Sequence, residues 1–129
     1  YLHSNQIQEL SDIVGKLTHL RKIDLSANKL TKLPETFGQL AFLRQLDLSS
    51  NQLATLPEVV GHLTHLKQLF LHSNQLQDLP EIISNLTKLE ELDLSSNQFQ
   101  HLPKTIAQFT KLEKFDFNNN PTREMAETL

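Results

Sequence analysis

The chain has no cysteine, no long apolar run and no cluster of basic residues. Without cysteine there is no disulfide framework, no thiolate ligand for a metal and no thiol nucleophile. Apolar stretches stop after a few residues, far short of the roughly 20 that cross a bilayer, so no membrane span is expected. Twelve Lys and Arg stand against fifteen Asp and Glu, a net charge of −3, and they form no stripe that could neutralise a phosphate backbone. Nucleic acid is therefore not an expected partner. The six histidines are scattered, and a hard cation wants about six oxygens from a shaped loop, so no metal and no cofactor is expected.

What the chain does have is a repeat. Asn5, Asn28, Asn51, Asn74, Asn97 and Asn120 recur with a period of 23, and the same apolar frame surrounds each of them. Leu20, Ile23, Leu25, Asn28, Leu30 and Leu33 become Leu43, Leu46, Leu48, Asn51, Leu53 and Leu56 one period later, and the pattern continues to Leu112, Phe115, Phe117 and Asn120. Within each unit the apolar residues first alternate with polar ones, as in a short strand with one buried face. An amide that both donates and accepts, placed at the turn after the strand, can satisfy backbone groups where each coil bends inward. The asparagine column is expected to be structural.

This L-x-x-L-x-L-x-x-N-x-L spacing resembles the leucine-rich repeat family over nearly the whole chain. Its flavour, "LPEVVGHLTHLKQLFLHSNQL", is similar to the 23-residue type of intracellular Ras-pathway scaffolds, plant Ras-group-related proteins and bacterial leucine-rich repeat proteins. The resemblance implies an α/β solenoid, a curved horseshoe segment with parallel strands on the concave face and short helices on the convex face. It also implies protein recognition, with small GTPase pathways or host signalling proteins among the partners, and no enzymatic activity. Residues 1–129 are expected to form one domain of five to six repeats, cytoplasmic, with a secreted bacterial protein as the alternative.

Pro34, Pro57, Pro80 and Pro103 each precede an apolar pattern, and proline with an acidic neighbour suits the first position of a helix. Gly15, Gly38 and Gly61 share one register that Ser84 and Ala107 occupy later, which calls for a small side chain rather than a left-handed backbone.

If the frame builds the fold, function sits in the gaps. One outward column reads Lys22, Gln45, Gln68, Glu91, Lys114; the next Tyr1, Asp24, Asp47, Phe70, Asp93, Asp116; a third His3, Ser26, Ser49, His72, Ser95, Asn118. Aromatics displace Asp only at Tyr1 and Phe70. A large aromatic ringed by polar groups is the usual anchor of an interface, with truncation costing about 2 kcal/mol or more. The expected partner site is Phe70 and His72 with Asp47, Asp93, Gln45, Gln68, Glu91 and Asp24, joined by Tyr1 and His3. The near-identity of "YLHSNQIQEL" (1–10) and "FLHSNQLQDL" (70–79) is explained more plainly by copying of units.

A hydrolytic set of Ser49, His72 and Asp93 on adjacent strands would lack a water-excluding pocket. The strand entrance reads Arg21, Arg44, Lys67, Glu90, Glu113, a charge gradient able to orient a partner. Phe42 is expected to be exposed on a lateral edge. Asn85-Leu86-Thr87 matches the glycosylation acceptor rule, but the last two are frame residues. Alternatives to scaffolding are an extracellular adhesion or glycan-recognition module and a regulatory repeat domain of a larger enzyme. Residue 1 falls inside a strand, so a truncated or uncapped N-terminal edge and end-to-end self-association are expected, with a capping turn over 121–129.

Overall fold

The structure, a computed structural model, describes residues 10–121. Five strands of three residues form one parallel sheet in sequence order: β1 (Lys22–Asp24), β2 (Gln45–Asp47), β3 (Gln68–Phe70), β4 (Glu91–Asp93) and β5 (Lys114–Asp116). Each residue pairs with its equivalent 23 positions on, as in Lys22↔Gln45, Ile23↔Leu46 and Asp24↔Asp47, so the sequence period is the register of the sheet. The middle residue of each strand points inward. Leu46 and Leu69 are fully buried, whereas the flanking positions of β2, β3 and β4 are half-exposed.

The return segments are 3-10 helices of five residues, Asp12–Lys16, Glu35–Gln39, Glu58–His62, Glu81–Asn85 and Lys104–Gln108. The prolines sit one position earlier than the sequence suggests. Pro34, Pro57, Pro80 and Pro103 are the cap residues, extended at ψ 134–152°, and Glu35, Glu58, Glu81 and Lys104 open the helices. The reason is a chain of i→i+3 bonds: Phe37 N–H donates to Pro34 O, Leu40 N–H to Phe37 O, and Leu43 N–H to Leu40 O, at 3.0–3.2 Å. Side chains three apart are eclipsed in such a helix. Phe37, Leu40 and Leu43 therefore all reach the core and are all fully buried.

Asparagine ties each coil to the one before it. Asn51 Nδ2 donates to Leu48 O in its own coil (2.9 Å) and to Leu25 O in the preceding one (3.0 Å), while its Oδ1 accepts from Leu30 N–H (3.0 Å). Asn74 and Asn97 repeat the set. Each is at most 7% exposed, so these buried backbone groups have no water to turn to. The residue immediately before each repeat asparagine from Asn28 to Asn120 adopts a left-handed backbone, at Ala27, Ser50, Ser73, Ser96 and Asn119 (φ 55–59°).

Glycine serves the opposite side of the coil. None of the three has positive φ; what they supply is closeness. A Cβ on Gly15 would lie 2.5 Å from Thr36 O, on Gly61 2.8 Å from the Ile82 side chain, and on Gly38 3.1 Å from Val59 Cγ2. By the same offset Ser84 faces Thr105, and there a cleft of about 710 Å³ separates the return segments.

Candidate functional site

The candidate site is the outward face of β2, β3 and β4 and the residues just after them. Phe70 lies in register between Asp47 and Asp93, and Gln68 between Gln45 and Glu91. All six are half-buried. Gln68 Nε2 donates to Glu91 Oε1 at 3.3 Å. Phe70 stands apart from the leucine core, unlike Phe115 of β5, which packs against it. His72 is also half-buried, its Nδ1 3.2 Å from Ser73 Oγ. Tyr1 and His3, the N-terminal edge and the capping turn expected beyond Pro121 lie outside the described residues.

The aspartates of this column already have work within the fold. Asp24 Oδ1 accepts from Ser26 N–H (3.0 Å) and Ser26 Oγ (2.6 Å), and Asp93 Oδ1 accepts likewise from Ser95 (3.0 and 2.6 Å). Asp47 Oδ1 accepts from Ser49 N–H (2.9 Å) and Asp116 Oδ1 from Asn118 N–H (3.0 Å). Each is an Asx turn closing the end of its strand. The sequence suggests Asp24, Asp47 and Asp93 as partner-contact residues; one oxygen of each is committed to its own backbone.

That turn fails at a single described strand. With Phe70 in the Asp slot, His72 N–H has no acceptor among the described residues. The adjoining Ser49 differs from its equivalents too. It is 1% exposed and its Oγ has no hydrogen-bond partner, where Ser26 and Ser95 spend theirs on Asp. A buried hydroxyl cannot attack a substrate, and Asp93 is held by Ser95 rather than by His72, so the structure dismantles the hydrolytic set. Among the described residues no group of three or more His, Asp or Glu is arranged to hold a metal ion.

Elsewhere, Phe42 is 54% exposed and stacks on His19 at a centroid distance of 6.2 Å and 7° between planes, away from the strand face. The features that sequence reasoning missed are the Asx turns, the left-handed residues and the cleft beside Ser84. The signal for the first is present in the paired recurrence of Asp with Ser two residues on, and in the joint loss of both at Phe70 and His72.

The sequence model of the leucine-rich repeat region matches residues 2–129. The chain belongs to the leucine-rich repeat family. Among solved leucine-rich repeat structures, it is similar to the ectodomain of the receptor kinase SOBIR1 from Arabidopsis thaliana, with 31% identity and a TM-score of 0.74 over 93% of this chain and 68% of that one. The Leptospira interrogans leucine-rich repeat protein LIC12759 matches at 27% identity and TM-score 0.53, covering 91% of this chain and 42% of that one. A plant peptide hormone receptor, RGFR1 in complex with RGF2, matches at 26% identity and TM-score 0.78, covering 92% of this chain but only 20% of its own. No curated protein matches the chain. Among the described residues no helix is long and apolar enough to cross a membrane.

Proposed function

We propose that this leucine-rich repeat segment binds a protein or peptide partner on its strand face, centred on Phe70 and His72, and carries out no chemistry on it. The observation that carries the reading is the break in the Asx column. A scaffold residue that closes a turn is exchanged for an aromatic that adds nothing to the core, and a backbone donor is left open on the same face. Losing a hydrogen bond and presenting an apolar ring both disfavour the isolated fold, and both are useful to a partner that covers them. The similar plant receptor is a peptide hormone receptor in complex with RGF2, which supports a peptide-sized occupant. Scaffolding within a small GTPase or host signalling pathway is the reading drawn from the repeat type. The likeness to a receptor ectodomain supports the secreted alternative to a cytoplasmic location.

The test compares the native chain with F70N/H72S, in which Asn restores a turn acceptor and Ser the usual follower, so the fold is preserved. Affinity capture from lysate is expected to recover at least one protein with the native chain that the double variant loses. Hydrogen exchange of the native complex should then slow across residues 68–72. Identical recoveries by both proteins would remove the strand face from the reading.

A further inference from the structure

We infer that the partner places a basic side chain, Arg or Lys, on the Phe70 ring between Asp47 and Asp93, and a main-chain carbonyl against the His72 N–H. The inference rests on the strand-face reading above and adds the chemistry of the occupant. Adjacent strands lie about 4.8 Å apart, so Asp47 and Asp93 are the immediate neighbours of Phe70 on either side. Each uses Oδ1 for its own turn, and the second oxygen of each has no hydrogen bond among the described residues. An aromatic face flanked by two carboxylates attracts a guanidinium or ammonium twice over, through the ring quadrupole and through charge.

The wider face carries the same sign. Between β4 and β5 lies a shallow depression of about 200 Å³ whose lining includes Glu91, Asp93, Asp116 and Lys114, three carboxylates against one ammonium. The nearest basic residue along β3 is Lys67, three positions and about 10 Å away, roughly one screening length at physiological salt. The bracketing carboxylates therefore dominate, and an acidic side chain is repelled.

The second half of the proposal follows from the open donor. In every other described strand the N–H two residues past the Asp slot is capped by that Asp; at His72 the cap must come from outside. A carboxylate filling it would sit beside Asp47 and Asp93 and be repelled by both. A neutral peptide carbonyl fills it without that repulsion, and a side chain branching from the same peptide reaches the ring beside it.

Selection of a random peptide library on the native chain, with F70N/H72S and D47N/D93N as comparison proteins, tests this. Asn keeps the Oδ1 acceptor of each turn, so D47N/D93N removes charge and little else; equal melting temperatures verify that. Peptides lost on F70N/H72S are expected to be enriched in Arg or Lys and to bind D47N/D93N about tenfold more weakly, with affinity falling as salt rises. If peptides are lost on F70N/H72S but show no basic enrichment, or bind D47N/D93N as well as the native chain, the basic occupant is overturned while the strand-face reading stands. If no selected peptide distinguishes F70N/H72S from the native chain, both fall.

Discussion

The asparagine column holds one coil to the next, and its members can be removed singly. Asn51→Ala strips Leu30 N–H of its partner in a place water does not reach, and takes one of two amide donors from Leu25 O and Leu48 O, which keep Asn28 and Asn74. One orphaned buried donor costs about 1–3 kcal/mol, so a loss of about 2 kcal/mol is expected in denaturant unfolding with an unchanged slope. Loss of under about 1 kcal/mol would mean that the column is decorative. Ala27 is the opposite case, a residue holding a conformation it resists. Its φ of 55° costs an L-residue about 1 kcal/mol, and it is the one non-polar member of a column that otherwise reads Ser, Ser, Ser, Asn. Ala27→Asn should raise stability by about 0.5–1 kcal/mol; a decrease would show that the left-handed turn imposes no strain there. The sequence shows Asn51 at once, because identical polar residues on a strict period inside an apolar frame must be paired with something the frame itself repeats. Ala27 is hidden, since nothing in its side chain announces the backbone it occupies.

At the level of elements, the strands are legible and the helices only partly so. Period-2 alternation and a 23-residue repeat are enough to predict all five strands and, through equal spacing, their register. For the return segments the prolines suggest helices that begin on them, and the true signal is the spacing of three between Phe37, Leu40 and Leu43, or Val60, Leu63 and Leu66. That spacing belongs to i→i+3 hydrogen bonding, and its five-residue span makes an α-helix impossible to close usefully. The glycine slot demands small size, as its occupants imply, and the structure grades that demand. Gly15→Ala should destabilise most, by about 2 kcal/mol, because it meets the Thr36 backbone at 2.5 Å; Gly61→Ala should cost somewhat less, its nearest contacts being Ile82 Cγ1 and Cγ2 at 2.8 Å and Ile82 O at 3.0 Å. Gly38→Ala should be close to neutral, its contact tight by only tenths of an ångström and its helix slightly favoured by alanine. A thermal melt of the three variants checks the order, and a reversed order would mean that backbone approach does not set the spacing of the coils.

Among the described residues, each coil's strands and helices touch only those of the coils beside it. Stability in such a stack is a sum of units and junctions, so it need not be uniform. β3 has fully buried Leu69 at its centre and paired strands on both sides, whereas the centre of β5, Phe115, is half-buried. Native-state exchange should therefore slow the amides of Gln68–Phe70 more than those of Lys114–Asp116; equal protection would show that the array opens as one body. The site is legible in outline at this scale. Phe70 stands out because a repeat makes a departure visible, and the period alone sets Asp47 and Asp93 beside it. The hydrogen bonding that commits one oxygen of each Asp and leaves His72 N–H bare is invisible in the letters, because it depends on which way a turn folds back.

The asparagine that reaches backwards also sets a rule for how such a chain can lengthen. Since Asn51 serves Leu25 and Leu30, 26 and 21 positions earlier, a single added residue between them would unhook a junction, while a whole unit of 23 would arrive carrying its own amide and leave its neighbours as it found them. Growth is quantised by one side chain, and the outward letters of each new unit come free of that constraint, with an Asp turn surrendered only where, as at Phe70, something else is presented.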